Sequence, residues 1–220
     1  QLGSIINAGN LAVAEGQNLT LLGGTVINTG TVSAPGGRIT VVAVPDKNSV
    51  RISQEGMVLS LELRSSGSNQ PNSLPFTPLS LAQLLTGGDL AGATAVTVND
   101  DGTISLTGSG LKVDADAGTV IASGRLDVSN TAPGQTGGTV QVLGDKVGLL
   151  GALINASGTS GGGTVLIGGD YKGQGTVPNA SRTYISNNSA ITADSLLDGN
   201  GGRVIAWADE VTTFYGNISA

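Results

Sequence analysis

A short phrase that returns several times constrains this chain more than any other feature of its sequence. It reads TVIASGRLDVS from Thr119, GGTVQVLGDKVGLLGALINASG from Gly137 and GGGTVLIGGD from Gly161. Each pass contains brief runs of alternating Val, Ile or Leu, separated by Gly, Asn, Asp or Ser, which is typical of short strands joined by turns. One cycle takes about 20 to 25 residues, the period expected of one coil of a β-solenoid.

A single coil of this kind cannot bury its inward side chains, so the repeats predict a stack with a continuous apolar column. We expect Val140, Val165 and Val204 to occupy the same inward position on successive coils. The full set predicted to face inward is Val140, Val142, Val165, Ile167, Val204 and Ala206. The steps between the three valines, 25 and 39 residues, are unequal. This difference predicts a smaller outward loop at 171–183.

The composition favours the same class of fold. Gly supplies 36 of the 220 residues, charged residues are only 12% and aromatic residues 3%. Such a chain is rich in tight turns and predicts a narrow core of Val, Ile, Leu and Ala. A hydrophobic content of 39%, arranged with strand periodicity, argues against disorder.

The N-terminal part follows the same cycle. Leu19 and Ile39 lie 20 residues apart at matching places in their phrases, which predicts one coil. The triplets that begin at Asn7 and Asn28 predict corners, because Asn and Gly accept the left-handed backbone of tight turns. Pro35, Gly36 and Gly37 predict another corner.

Val50 to Leu63 predicts that the coils continue as two strands around Glu55-Gly56. The cycle then breaks, and the proline-rich segment 64–92 predicts an insertion outside the solenoid. Within it, Thr77-Pro78 before LSLAQLLTGG predicts a short helix. We expect this insertion to cover the apolar wall of the coils, with a partner-binding protrusion as the alternative.

Beyond the insertion, the sequence predicts that coils resume at Ala95. A hairpin-like or corner turn is expected at 99–102, where the spacing does not support a calcium loop. The whole chain, 1–220, is thus predicted to be one all-β domain: a right-handed parallel β-helix, or β-solenoid, with a Pro-rich insertion carrying one short helix.

Charge and residue content exclude several classes of function. The net charge of −6 and the pI near 4.4 argue against binding nucleic acid or an anionic membrane surface. The absence of Cys excludes disulfides and thiol chemistry. No apolar run is long enough for a membrane span, and no signal peptide is recognisable.

Catalytic residue types are also scarce. The chain has no His and no serine-nucleophile motif, so carboxylates remain as the only candidates for acid or base chemistry. Asp114, Asp116, Asp127 and Asp145 with Arg125 are the residues that a polysaccharide-cleaving β-helix enzyme would use. Ordinary solvated turn residues explain them better, and we predict no catalytic, cofactor-binding or metal-binding residue.

Two further groups bear on binding. Trp207, Phe214 and Tyr215 are predicted to form a packed staple between coils, with an outward glycan-binding cluster as the alternative. Five Asn-X-Ser/Thr sequons begin at Asn18, Asn155, Asn179, Asn187 and Asn217. Their number follows largely from a composition rich in Asn, Ser and Thr, and the sequence leaves their glycosylation open.

Several phrases taken in order carry a family resemblance. These are TVINTGTVSAPGGRITVVAVP, TPLSLAQLLTGG, the repeats from Gly137 to Ser186 and GGRVIAWADEVTTFYGNISA. Together they resemble the filamentous-haemagglutinin-like exoproteins of two-partner secretion systems, particularly the large versions of photosynthetic bacteria. The resemblance implies a right-handed parallel β-helix, exported by a transient outer-membrane transporter partner and displayed on, or shed from, the cell surface. The family's NPNL-type secretion motif is not visible, which places the segment downstream of the secretion domain.

We therefore expect a secreted or cell-surface structural or adhesive protein without catalytic activity. Its expected partners are a surface glycan or cell receptor and, through stacking of the coil ends into extracellular fibres, other copies of the chain. The alternative is a glycan-binding or polysaccharide-cleaving β-helix enzyme that uses clustered carboxylates. Three or more carboxylates converging with Arg or Lys in a groove would favour the enzyme, whereas a wall of Ser, Thr and Asn would favour the fibre.

Overall fold

The computed structural model describes residues 3–45 and 117–220, together with the backbone of five strands between these ranges. The strands are β1 (Ser4–Asn7), β2 (Asn10–Ala12), β3 (Asn18–Gly23), β4 (Thr25–Asn28), β5 (Thr31–Ser33), β6 (Arg38–Ala43), β7 (Ser49–Ile52), β8 (Leu61–Arg64), β9 (Ala95–Val98), β10 (Ile104–Thr107), β11 (Lys112–Val113), β12 (Thr119–Ala122), β13 (Arg125–Asp127), β14 (Thr139–Leu143), β15 (Lys146–Leu149), β16 (Leu153–Asn155), β17 (Thr164–Ile167), β18 (Arg182–Ile185), β19 (Ala190–Thr192), β20 (Arg203–Ala206), β21 (Val211–Phe214) and β22 (Asn217–Ser219). One turn of 3-10 helix spans Tyr171–Gly173. In the part of the chain that is described, no helix has the length and apolar character needed to cross a membrane.

Three parallel sheets contain most of these strands. The first sheet has the order β1-β4-β12-β15-β18-β21, the second β2-β5-β13-β16-β19-β22, and the third β3-β6-β14-β17-β20. Each circuit of the chain adds one strand to each sheet, and a sixth, partial circuit adds β21 and β22. We number these circuits as coils 1 to 6. The predicted class, a parallel β-solenoid, is confirmed.

The predicted inward column is also confirmed. In the third sheet Leu19 pairs with Ile39, Ile39 with Val140, Val140 with Val165, and Val165 with Val204. The three middle members are fully buried, and Leu19 and Val204 pack against the core at its two ends. A neighbouring column runs through Val142, Ile167 and Ala206 in the same way.

Burial within these columns depends on a coil above and a coil below. In the second sheet, Val32, Leu126, Ile154 and Ile191 are at most 2% exposed, whereas Leu11 in coil 1 and Ile218 in coil 6 are 36% and 47% exposed. The inward side chains of a coil are therefore shielded mainly by its neighbours, as the sequence argument assumed.

Glycines allow the coils to stack closely where the chain enters the third sheet. Gly37, Gly138, Gly163 and Gly202 stand immediately before β6, β14, β17 and β20. A methyl group on any of the last three would overlap the backbone carbonyl oxygen of the preceding glycine in the column, and on Gly37 that of Gln17. None of these four requires a left-handed backbone, so their role is close backbone approach rather than turn geometry.

The triplets that begin at Asn7 and Asn28 form the predicted corners between the first and second sheets, but without the expected backbone conformation. Neither Asn7 nor Asn28 has a positive φ, so the expected left-handed turn is wrong. Both side chains are instead buried and form a ladder: Nδ2 of Asn7 donates to Oδ1 of Asn28 at 2.7 Å, and Nδ2 of Asn28 donates to the carbonyl of Gly30 at 3.1 Å. The amide of Gly9 donates to Oδ1 of Asn7. Side-chain hydrogen bonding, not backbone handedness, explains these asparagines.

The solenoid is continuous across the long interruption in the sequence. Strand β12 stacks directly on β4, with Thr119 opposite Thr25. The chain leaves after Pro45 and returns at Gly118, where a Cβ would lie 3.2 Å from the proline ring. The region between them is therefore an excursion from one point of the coil.

The strands within this excursion correct two expectations. Strand β7 pairs antiparallel with β8, and β9 pairs antiparallel with β10, in sheets separate from the three parallel ones. Coils do not resume at Ala95 but at β12, because the short connection between β9 and β10 allows a hairpin and is too short for a parallel crossover. The Glu55-Gly56 turn, the turn at 99–102 and the short helix after Thr77-Pro78 lie outside the described residues, as does most of 64–92.

Two kinds of outward addition distinguish the later coils. The corner between the second and third sheets spans 13–17 and 34–37 in coils 1 and 2, and 128–138, 156–163 and 193–202 in the next three. A second addition, which we call the side loop, spans 168–181 between β17 and β18. It occupies the region for which the sequence predicts a loop at 171–183, although Arg182 and Thr183 already belong to β18.

Candidate functional site

The outward face of the second sheet is mostly a wall of small polar side chains. One outward column runs through Ser33, Asp127, Asn155, Thr192 and Ser219, and the parallel column runs through Thr31, Arg125, Leu153, Ala190 and Asn217. Thr192 donates to Oδ1 of Asn155 at 3.1 Å, which links coils 4 and 5. The exceptions to the Ser/Thr/Asn pattern are an Arg–Asp pair, Ala190 and the half-exposed Leu153.

That Arg–Asp pair contains two of the residues proposed for carboxylate chemistry. Arg125 donates to Oδ2 of Asp127 at 2.7 and 3.1 Å, and Ser129 donates to Oδ1 through its amide and its hydroxyl. Partial burial alone would raise the pKa of Asp127, but the hydrogen bonds from Ser129 and Arg125 outweigh it and lower that pKa. A general acid needs the opposite shift, so Asp127 has the environment of a structural ion pair.

The other proposed carboxylates are not brought to this pair. Asp145 lies at the corner between the third and first sheets, where its backbone carbonyl accepts hydrogen bonds from Ser181. Asp114 and Asp116 lie outside the described residues. Within residues 3–45 and 117–220, no group of three or more Asp, Glu, His or Cys side chains is arranged to hold a metal ion.

A second polar region was not anticipated from the sequence. It lies where the side loop meets β20 of coil 5 and the residues that follow this strand, and we call it the side-loop cluster. Its members are Asp170, Tyr171, Lys172, Asn179, Arg203, Trp207 and Asp209. The available signal was the stretch GGDYKGQG, where glycines crowd around Asp, Tyr and Lys. Gly168, Gly169, Gly173 and Gly175 all have positive φ, as does Lys172 at 56°.

Trp207 and Asn179 fasten the side loop to the next coil. Nε1 of Trp207 donates to Oδ1 of Asp209 at 3.0 Å, and Nδ2 of Asn179 donates to the same oxygen at 3.1 Å. Asn179 also donates to the carbonyl of Gly173. Trp207 stands against the loop so closely that a side chain on Gly169 would press on its ring. The predicted staple between coils is therefore confirmed for Trp207.

The remaining aromatic residues behave differently from one another. Tyr215 meets Tyr184 of the preceding coil edge to face, with ring centroids 6.0 Å apart, yet is 59% exposed. Burial, with a smaller contribution from the neighbouring Tyr215, raises the pKa of Tyr184. Phe214 is an inward residue of coil 6 and is 38% exposed.

Asp170 and Arg203 form an ion pair within the side-loop cluster. Oδ1 of Asp170 accepts from the amide of Tyr171 at 2.6 Å and from the guanidinium of Arg203. The backbone hydrogen bond of Tyr171, followed by Arg203, holds the pKa of Asp170 below its usual range. The side chain of Arg203 is 50% exposed, so the pair faces solvent.

The five sequons fall into two groups. Asn155 and Asn179 are half-buried and use their side-chain amides in hydrogen bonds, whereas Asn18, Asn187 and Asn217 are exposed. Ser189, the hydroxyl residue of the sequon at Asn187, is fully buried. Only the sequons at Asn18 and Asn217 combine an exposed Asn with an exposed hydroxyl residue.

Comparison with known proteins reveals a likeness of structure but not of sequence family. No protein-family model matches the chain, and no curated protein matches it. Among solved structures, the chain is similar to the HMW1 secretion domain from Haemophilus influenzae, with 17% sequence identity and a TM-score of 0.32. The match covers 100% of this chain and 67% of that one.

Proposed function

We propose that this chain is a segment of a secreted exoprotein that serves as a structural and adhesive element at the cell surface, without catalytic activity. Export by a two-partner secretion transporter is part of the proposal. It is supported by the phrases that resemble filamentous-haemagglutinin-like exoproteins and by the β-solenoid architecture that such a resemblance implies.

The observation that carries the adhesive proposal is the outward wall of the second sheet. One of its two columns carries Ser, Asn or Thr on four of five successive coils, so it offers hydroxyls and an amide in a row rather than one concave centre. Recognition through a repeated surface gains strength from many weak contacts. The carboxylate best placed for chemistry, Asp127, is engaged by Arg125 and Ser129 and has a lowered pKa.

Two assays on the same preparation distinguish an adhesive protein from a polysaccharide-cleaving enzyme. Beads coated with the purified chain should be retained on surfaces coated with cells or mucin more than beads coated with albumin. Neutral and acidic polysaccharides incubated with the same preparation should yield no new reducing ends and no unsaturated products. Cleavage that disappears in Asp127→Asn would establish the enzyme instead, and beads that behave like the albumin control would remove the adhesive role.

A further inference from the structure

We propose that the side-loop cluster binds a neutral glycan, with Tyr171 as the stacking surface and the Asp170–Arg203 pair as its hydrogen-bonding partner. This inference rests on the proposed adhesive function and assigns that function a particular subsite and ligand class.

The first support is the position of Tyr171. Its side chain is 56% exposed at the side loop, although Tyr has a large apolar ring that usually packs against other groups. An exposed aromatic ring offers a flat apolar face for the C–H groups of a pyranose. Tyr also loses little side-chain entropy on binding, because only two torsions must be fixed.

The second support is that hydrogen bonds hold the backbone of Tyr171 in place within the loop. The amide of Tyr171 donates to Asp170, its carbonyl accepts from the amide of Gln174 at 3.1 Å, and Asn179 ties the loop to Asp209. Lys172 adopts a left-handed backbone, which is costly for a residue with a side chain. A backbone that is already ordered reduces the ordering cost of binding.

The third support is the chemistry around the ring. The Lys172 ammonium lies 5.2 Å from the ring centroid of Tyr171, and the adjacent residue Asp170 forms an ion pair with the half-exposed Arg203. Sugar hydroxyls both donate and accept hydrogen bonds, so they match a pair of opposite charges. The net charge of −6 disfavours acidic glycans, which makes a neutral glycan the better match.

The side loop also lies against a fluorescent reporter. Trp207, the single tryptophan of the chain, stands against the same loop. Its fluorescence is therefore a built-in reporter of any ligand that changes the polarity or packing of the side loop.

The test is a titration of the full chain with malto-, cello- and galacto-oligosaccharides, followed by Trp207 fluorescence and by calorimetry. At least one neutral oligosaccharide should bind saturably and change the fluorescence, whereas polygalacturonate fragments should not. We expect Tyr171→Ala to weaken binding by about tenfold or more, as truncation of an aromatic anchor does. Tyr171→Phe should preserve it, because the ring remains.

Tyr215→Ala is the matched control, since Tyr215 is similarly exposed but lies on coil 6. It should leave oligosaccharide binding unchanged, and melting curves should show that all three variants remain folded. Absence of saturable binding, equal binding by Tyr171→Ala, or a preference for the acidic fragments would overturn the subsite. Beads that still adhere while no oligosaccharide binds would refute the subsite alone. Beads that do not adhere despite oligosaccharide binding would refute the adhesive role.

Discussion

Coils 1 and 2 have the same three-sheet architecture as coils 3 to 5, but the two regions place different kinds of side chain in one inward column. At the end of the first-sheet strand, the first two coils carry Asn7 and Asn28, and the next three carry Ala122, Leu149 and Ile185. The asparagines satisfy each other and nearby backbone groups, whereas the later residues join the apolar core. The same inward position thus accepts amides when they are hydrogen-bonded and aliphatic groups elsewhere.

The two regions also differ on the outside. The corners before the third sheet are short in coils 1 and 2 and longer in coils 3 to 5, and only coil 4 carries the side loop. Yet the inward column that begins at Leu19 and Ile39 continues in register through both regions, and so do the glycines that precede the third sheet. The longer corners and the side loop therefore do not change how the strands of neighbouring coils pair. Coil stacking is determined by the strands and by the glycines that allow close approach before the third sheet.

The largest expected effect concerns the buried apolar column that runs through both regions. Val165→Asp would place a carboxylate in a fully buried apolar column, at a cost on the order of 4 kcal/mol or more. Ile39→Asp in coil 2 should be equally damaging. Thr164→Asp, on the outward side of the same strand, should stay within about 0.5 kcal/mol. Urea denaturation followed by circular dichroism measures all three, and an unchanged midpoint of denaturation for Val165→Asp would refute the inward placement.

A second prediction concerns the glycine column. A methyl group at Gly163 would overlap the carbonyl oxygen of Gly138, which the ladder holds in place. Gly163→Ala should therefore destabilise the chain by about 1–3 kcal/mol, the range for overpacking. Gly9→Ala is the control, because its nearest atom, Oδ1 of Asn7, would be 3.9 Å away. Equal midpoints of denaturation for the two variants would show that close approach does not explain the column.

The asparagine ladder gives a prediction specific to coils 1 and 2. Asn28→Ala removes the acceptor of Asn7 and leaves that buried amide unsatisfied, which should cost about 1–3 kcal/mol. The double variant Asn7→Ala/Asn28→Ala should cost less than the sum of the two single changes, since the residues are coupled. A double-mutant cycle measured by denaturation tests this, and simple additivity would argue against the ladder.

The smallest expected effect is a dependence of stability on pH that arises from two carboxylates in the later coils. Asp127 and Asp170 both lie beyond coil 2 and have lowered pKa values, so the stability they contribute is full above about pH 3.9, the ordinary Asp value. It is lost as the pH falls through the lowered values. Midpoints of denaturation measured from pH 6 to 3 should decline at the acid end, and less so in Asp127→Asn. A decline of equal size in that variant would assign the effect to other groups.

Particular residues of the sequence were enough to predict the stacked coils of the solenoid. Alternating valines at 140, 142 and 165, with glycines before each run, were enough to place the inward columns and the coil period. The register between Leu19 and Ile39 followed from their equal positions in two phrases. These predictions succeeded because neighbouring coils of a solenoid contact each other at equivalent positions, so sequence repetition becomes spatial contact.

Two predictions failed where local sequence gave no such information. The runs from Ala95 to Thr107 resemble coil strands, but their close spacing allows a hairpin, and only pairing distinguishes the two. Asn7 and Asn28 do stand at corners, but the left-handed backbone expected there is absent, and their buried side chains bond to each other across neighbouring coils.

The sequence by itself determined the period, the apolar columns and the glycine corners, because these depend on side-chain size and alternation. Only the tertiary structure decided which polar residues meet. Asp170 and Arg203 are 33 positions apart and pair because the side loop of coil 4 returns to β20 of coil 5. The side-loop cluster exists only through that return, since strand periodicity specifies which side chains face inward but not where an outward loop comes to rest.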